Sequence, residues 1–351
     1  MKAILNCPFI PIATRIASHR GAQGAMYADM IRQTGVDIDV NWSGKIENHN
    51  DYDVMYVYHG NDWSGGMNVF GGVQGFPYAF NTRNFSQFKG KVYSLAIDFP
   101  PYHEMIKSRL DRAKEKGTQI QEEWLDVDLD NLQRMYETAE VVKYPFIGPK
   151  LVIGDSHSIC MYRPGWTVNS VPFKTLNGAL KNFESFITDV APIESFTHLE
   201  CYFGNIDIRH HLCRIEGDPI ENARELARKY YHAVMDIPIP NKSIYELLPI
   251  ENESRKIPQT GYYKKKPFWG SWEERNACRL AFKDELTMMA IMYNAEVDLI
   301  TWTDYLMNDK GELDFKHMEK PQSIHLSRGS YPWWSLGEEK EKQNTLEGFF
   351  G

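Results

Sequence analysis

The chain has 351 residues, of which 42% are hydrophobic and 25% charged, with a formal net charge of −8. That length suits two domains, and the composition is that of a soluble globular protein rather than a disordered one. The acidic balance argues against a tight nonspecific grip on nucleic acid, which takes a basic stripe; the densest basic cluster, Lys264-Lys265-Lys266, is equally explained by a solvated loop.

In chain order, residues 1–145 read as one α/β unit. The apolar opening Ala3-Ile4-Leu5 is followed by a helix-compatible stretch from Gly21 to Thr34, and Val36 to Val40 alternates with the two-residue period of a strand. Val54 to Tyr58 is the next strand, and a glycine-rich loop over 60–75 leads to a strand from Lys91 to Ile97. Helical patterns cover Tyr102 to Lys116 and Leu129 to Glu140, and Pro145 interrupts the pattern at a boundary. Strand, helix, strand and a glycine-rich loop in that order call for a parallel, doubly wound sheet.

The second unit, 148–351, opens on Lys150 to Ile153, a short strand of the fully buried type ending at Gly154. Further strands are expected at His198 to Phe203, Ser243 to Pro249 and Val297 to Ile300, with helices at Pro219 to Met235 and Trp272 to Tyr293. The expected fold class is α/β, with two Rossmann-like units, the second a three-layer α/β/α sandwich. Five scattered cysteines with no CxxC pair form neither a disulfide framework nor a zinc ribbon. The N-terminus is too short in apolar length for a signal peptide, and no run reaches the roughly 18 apolar residues of a membrane span. A cytoplasmic location without membrane contact is the expectation.

A serine hydroxyl is a weak nucleophile unless a histidine takes its proton and an oxyanion hole stabilises the intermediate. The favourable place for it is a sharp turn between a strand and a helix start, and Ile153-Gly154-Asp155-Ser156-His157 has that form. Gly204-Asn205-Ile206-Asp207 falls directly after the expected strand at His198 to Phe203, about fifty residues on, and His325 lies near the unit's end. In this order of serine, glycine, asparagine and late histidine, the segment from Leu151 to Leu326 resembles the SGNH (GDSL-like) hydrolases. The resemblance covers about half of the chain and implies an SGNH-type sandwich. It also implies Ser156 as nucleophile, His325 as general base, and the Ser156 N–H, Gly178 and Asn205 as the oxyanion hole. Two positions depart from the family pattern. Asn205 stands one place early in its block, and Gln322 occupies the place of the usual acid three residues before the histidine, with Glu319 and Asp314 as alternatives.

Asp155, His157, Asp207 and Arg209 are candidate substrate-facing residues. Arg209 has two readings, a bidentate clamp on a carboxylate or phosphate or a partner for Asp207. A metal site at Asp207, His210 and His211 is disfavoured, because adjacent histidines on a strand point to opposite faces. No metal and no cofactor are expected. Six glycines in 60–75, Gly65 and Gly66 among them, let backbone approach a ligand closely, yet the loop matches neither a dinucleotide nor a P-loop motif. The first half also bears a faint resemblance to the N-terminal domain of GT-B glycosyltransferases. The expected activity is a serine-dependent esterase or acyltransferase acting on a small polar substrate, carbohydrate- or nucleoside-like. The alternatives are a group transferase using an activated donor, or a noncatalytic binding protein.

Overall fold

The computed structural model describes residues 1–6, 19–41, 49–58, 85–95, 98–117, 126–143, 145–171, 174–252, 269–318, 325–327 and 330. The glycine-rich loop with Gly65 and Gly66, the lysine cluster at 264–266, Glu319 and Gln322 lie outside them.

The first unit holds β1 (Lys2–Asn6), α1 (His19–Gln33), β2 (Asp37–Asn41), β3 (Val54–Tyr58), β4 (Lys91–Leu95), α2 (Tyr102–Glu115), α3 (Leu129–Thr138) and β5 (Glu140–Val142). The second holds β6 (Lys150–Gly154), β7 (Thr167–Ser170), α4 (Leu176–Ala179), α5 (Ser185–Thr188), β8 (His198–Tyr202), α6 (Asn205–His210), α7 (Pro219–Met235), β9 (Asn241–Tyr245), α8 (Trp272–Met292) and β10 (Asp298–Ile300). Each unit has a five-stranded sheet, ordered β2-β1-β3-β4-β5 and β10-β9-β8-β6-β7, and every strand pair is parallel. Counted within its own unit, each sheet has the doubly wound order 2-1-3-4-5. The α/β class with two Rossmann-like units is therefore observed.

This order has a functional consequence. The chain leaves the first strand of each unit toward one side and the third toward the other, so a crevice opens between their carboxyl ends. In the second unit those strands are β6 and β8, in register from Lys150–His198 to Gly154–Tyr202.

Burial follows the alternation of the strands. Ala3 and Leu5 face one apolar cluster and Ile4 the other, since successive side chains leave opposite faces of a strand. The second cluster packs Ile4, Met55 and Val57 against Phe85, Tyr102 and Leu132 within the first unit. The first cluster is continuous from Met26 and Met30 on α1 to Leu151, Ile159 and Tyr162 of the second unit. Polar contacts reinforce this junction: Gln33 donates to the Tyr162 hydroxyl at 3.1 Å and accepts from the Gly165 N–H at 2.7 Å. Among the described residues, no helix is long and apolar enough to cross a membrane.

Two short strands, β5 and β7, come without a sequence expectation; Thr167-Val168-Asn169-Ser170 mixes polar and apolar residues, yet all four are buried. The strand expected through Pro249 ends at Tyr245, and beyond it the Leu248 N–H donates to Asn205 Oδ1.

Candidate active site

The site begins with the aliphatic run Leu151-Val152-Ile153, buried on both faces of β6 as a central parallel strand requires. Gly154 follows because nothing larger fits: a Cβ there would stand 2.5 Å from the Tyr202 carbonyl oxygen and 2.5 Å from Ser158 Cβ. Pairing continues one step further, with the Asp155 N–H donating to Tyr202 O at 3.0 Å. The chain then turns into a 3₁₀ helix, Ser156–Met161, capped by Asp155, whose Oδ1 accepts from the His157 N–H at 2.8 Å.

Ser156, the first residue of that turn, is 7% exposed, and its Oγ lies 3.0 Å from His325 Nε2. The two residues are 169 positions apart in the chain. His325 is held by its neighbours: Leu326 bridges antiparallel to Met318, and the Ser327 N–H donates to His317 O at 2.8 Å. His157 packs beside His325, with ring centroids 4.9 Å apart and planes tilted by 41°. The other side of His157 is tied to Asp155, Nδ1 to Oδ1 at 3.1 Å.

Across the crevice, two residues past β8, stands Gly204, whose φ of +120° places it where L-residues are strained. This turn starts α6 and directs Asn205 inward, 1% exposed. Asn205 Oδ1 accepts from the Leu248 N–H at 3.1 Å and from Arg209 Nη1 at 3.2 Å. Its Nδ2 is buried and has no hydrogen-bond partner among the described residues. An unmatched buried amide is costly, and such a group at the carboxyl end of a sheet is available to a ligand.

The other expected residues fall as follows. Arg209 is 1% exposed and donates to Glu251 Oε2 at 2.7 Å, to Pro249 O at 3.0 Å and to Asn205, so its guanidinium serves protein acceptors rather than a substrate or Asp207. Asp207 accepts from the N–H groups of Leu176 at 2.6 Å and Asn177 at 3.2 Å and thereby joins α4 to α6. Burial pushes its carboxyl up to about 6 against the pull of those N–H groups. Asp155 is fully buried, with Oδ1 given to His157 and its carbonyl taken by the N–H and Oγ of Ser158 and by Ser170 Oγ. The Gly178 N–H donates to Thr175 Oγ1 at 3.0 Å as part of the α4 cap, so this amide is committed within its own helix. His210 follows Asp207 on a helix rather than a strand, and no group of three or more potential ligands for a metal occurs among the described residues.

Two participants escaped the sequence reading, Leu248 and Glu251. Their signal was a pair of carboxylates, Glu246 and Glu251, inside the otherwise apolar run 244–251, since a carboxylate buried in such a run needs a cationic partner. Beside α6, a cavity of about 290 Å³ is lined by Thr175, Asn177, Asp207, Asn222, Glu225 and Lys229, among others.

No family model matches the chain, and no curated protein does. Among solved structures, the psychrotrophic esterase EstA from Pseudoalteromonas sp., inhibited by monoethylphosphonate, is similar over 57% of this chain and 98% of its own, at 13% identity and a TM-score of 0.29. A second crystal structure is similar over 56% of this chain and 98% of its own, at 12% identity and a TM-score of 0.34. Likenesses of this size carry no inference about chemistry.

Proposed function

We propose that the second unit is a serine hydrolase of SGNH type that cleaves or transfers acyl esters. The observation that carries this reading is the contact of Ser156 Oγ with His325 Nε2 at 3.0 Å, at the carboxyl end of a central strand beside the crevice of a doubly wound sheet. That distance lies within hydrogen-bond reach, the first requirement of a nucleophile and its base. In the proposed reaction His325 Nε2 takes the Ser156 proton as Oγ bonds to the acyl carbon. The carbonyl oxygen becomes an oxyanion facing Asn205 Nδ2 and the Ser156 N–H. The C–O bond to the leaving alcohol then breaks, with His325 returning the proton to that oxygen. Water, or an acceptor alcohol in the case of transfer, repeats the sequence on the acyl-enzyme and restores Ser156.

A fluorophosphonate probe tests this reading. The wild type is expected to be labelled and the Ser156→Ala variant not, with turnover of small acyl esters lost in the same variant. An unlabelled, folded wild type overturns the proposal.

A further inference from the structure

An asparagine amide presents an acceptor at one end and donors at the other, and only the donor end stabilises an oxyanion. At Asn205 the choice is made by two partners that can only donate: the Leu248 N–H, at 3.1 Å, and Arg209 Nη1, at 3.2 Å, both on Oδ1. Turning the amide over would set its NH₂ against two N–H donors in a site from which water is excluded. Arg209 is itself fixed at full burial. Its Nε donates to Glu251 Oε2 at 2.7 Å and its Nη2 to Pro249 O at 3.0 Å, and Glu251 is 0% exposed. A guanidinium offers its donors in one rigid plane, so the two contacts to the loop after β9 set where Nη1 meets Asn205.

From this we infer that Arg209 and Glu251 are positioning residues for the oxyanion-binding amide: the ion pair holds Asn205 Oδ1 and thereby keeps Nδ2 aimed into the crevice. The inference rests on the serine-hydrolase reading and deepens it. It also replaces the substrate-clamp role with one exerted through Asn205.

The test is a mutant cycle on ester hydrolysis with a p-nitrophenyl ester of a short acid. Asn205→Ala is expected to lower kcat by about 10²–10³-fold, the range for loss of one oxyanion donor, with little change in KM. Arg209→Lys is expected to lower kcat about tenfold or more while KM stays within about twofold, because one ammonium cannot satisfy all the acceptors of a guanidinium. If Arg209 acts through Asn205, its substitution costs nothing further in the Asn205→Ala background. Glu251→Gln is made in parallel. It keeps an acceptor for Nε, so it reports on the same coupling should Arg209→Lys fail to fold. Losses that add in the double variants, with an active and labelled wild type, overturn the positioning role and leave the hydrolase reading standing. A wild type that is neither active nor labelled overturns both.

Discussion

At the scale of single residues, the site depends on atoms that are absent as much as on those present. Gly154 lets β6 run against β8 closely enough for Asp155 to keep pairing with Tyr202, and this pairing sets the position from which Ser156 leaves the sheet. Its hypothetical Cβ would meet a backbone carbonyl at 2.5 Å, and a backbone atom in the middle of a sheet cannot swing aside as a side-chain end can. Gly154→Ala is therefore expected to destabilise the protein by about 2–3 kcal/mol, the upper range for overpacking, and to weaken fluorophosphonate labelling with it. Urea denaturation measures the first and labelling rate the second; a variant as stable as wild type would show that the strand separation is relaxed at this point. Gly204, at φ +120° two residues past β8, has the complementary duty of turning the chain into α6.

Among the elements, α8 is the scaffold of the carboxyl-end loops. It carries Arg279, which donates to Leu247 O at 3.1 Å and pairs with Glu246 at 2.9 Å, and Arg275, which donates to Glu251 O at 3.4 Å. These contacts fasten the segment 246–251 that supplies Leu248 to Asn205 and Glu251 to Arg209. The helix begins in a capping box: Ser271 Oγ accepts from the Glu274 N–H at 3.3 Å, and Glu274 Oε2 accepts from the Ser271 N–H at 2.7 Å. Ser271→Ala is expected to cost about 1 kcal/mol of stability, by the usual worth of such a cap. Because the start of α8 lies a turn from Arg275, the same change should leave kcat near wild type if the remaining contacts hold the segment. A thermal melt together with ester turnover checks both parts.

For the whole molecule, two buried groups in different units give stability opposite dependences on pH. His49, in the first unit, is 1% exposed and neither ring nitrogen has a hydrogen-bond partner among the described residues; burial pushes its pKa down to about 4 from 6.5. The unfolded chain therefore binds a proton there that the folded chain resists, and stability is lost as pH falls from 6.5 toward 4. Asp207, in the second unit, is raised from 3.8 to about 6, so its folded form holds a proton that the unfolded chain has released. Its contribution is present below the unfolded value and lost as pH rises through about 6. Each window amounts to about 3 kcal/mol at full extent. The two slopes oppose each other over most of the same range. His49→Leu is accordingly expected to gain stability relative to wild type at pH 4.5 compared with pH 7, and Asp207→Asn the reverse. Denaturant titrations at the two pH values measure these differences, and equal values at both would contradict the assignment.

The α/β class, the long helices and the central strands were legible in the sequence because periodicity reports which face of an element is buried. Pro219–Met235 matches its expected bounds, and β3 matches at Val54–Tyr58. Ser156, Asn205 and His325 could be proposed from residue type and chain order, and the structure brings Ser156 and His325 into contact. What order alone left undecided was how each polar group is used, since that depends on partners distant in sequence. Arg209 is spent on Glu251, 42 positions away, and Asp207 on the N–H groups of α4, 30 and 31 positions back. The Gly178 N–H is taken by its own cap, although the same triplet in an open loop would leave it free. Composition and pattern thus determined the two layered units and the residues available at their edges. Tertiary packing decided how those residues are partnered, because a buried donor or acceptor is costly to leave unmatched: Arg209 and Asp207 are taken by protein partners, Ser156 meets His325, and Asn205 Nδ2 is left without a partner among the described residues.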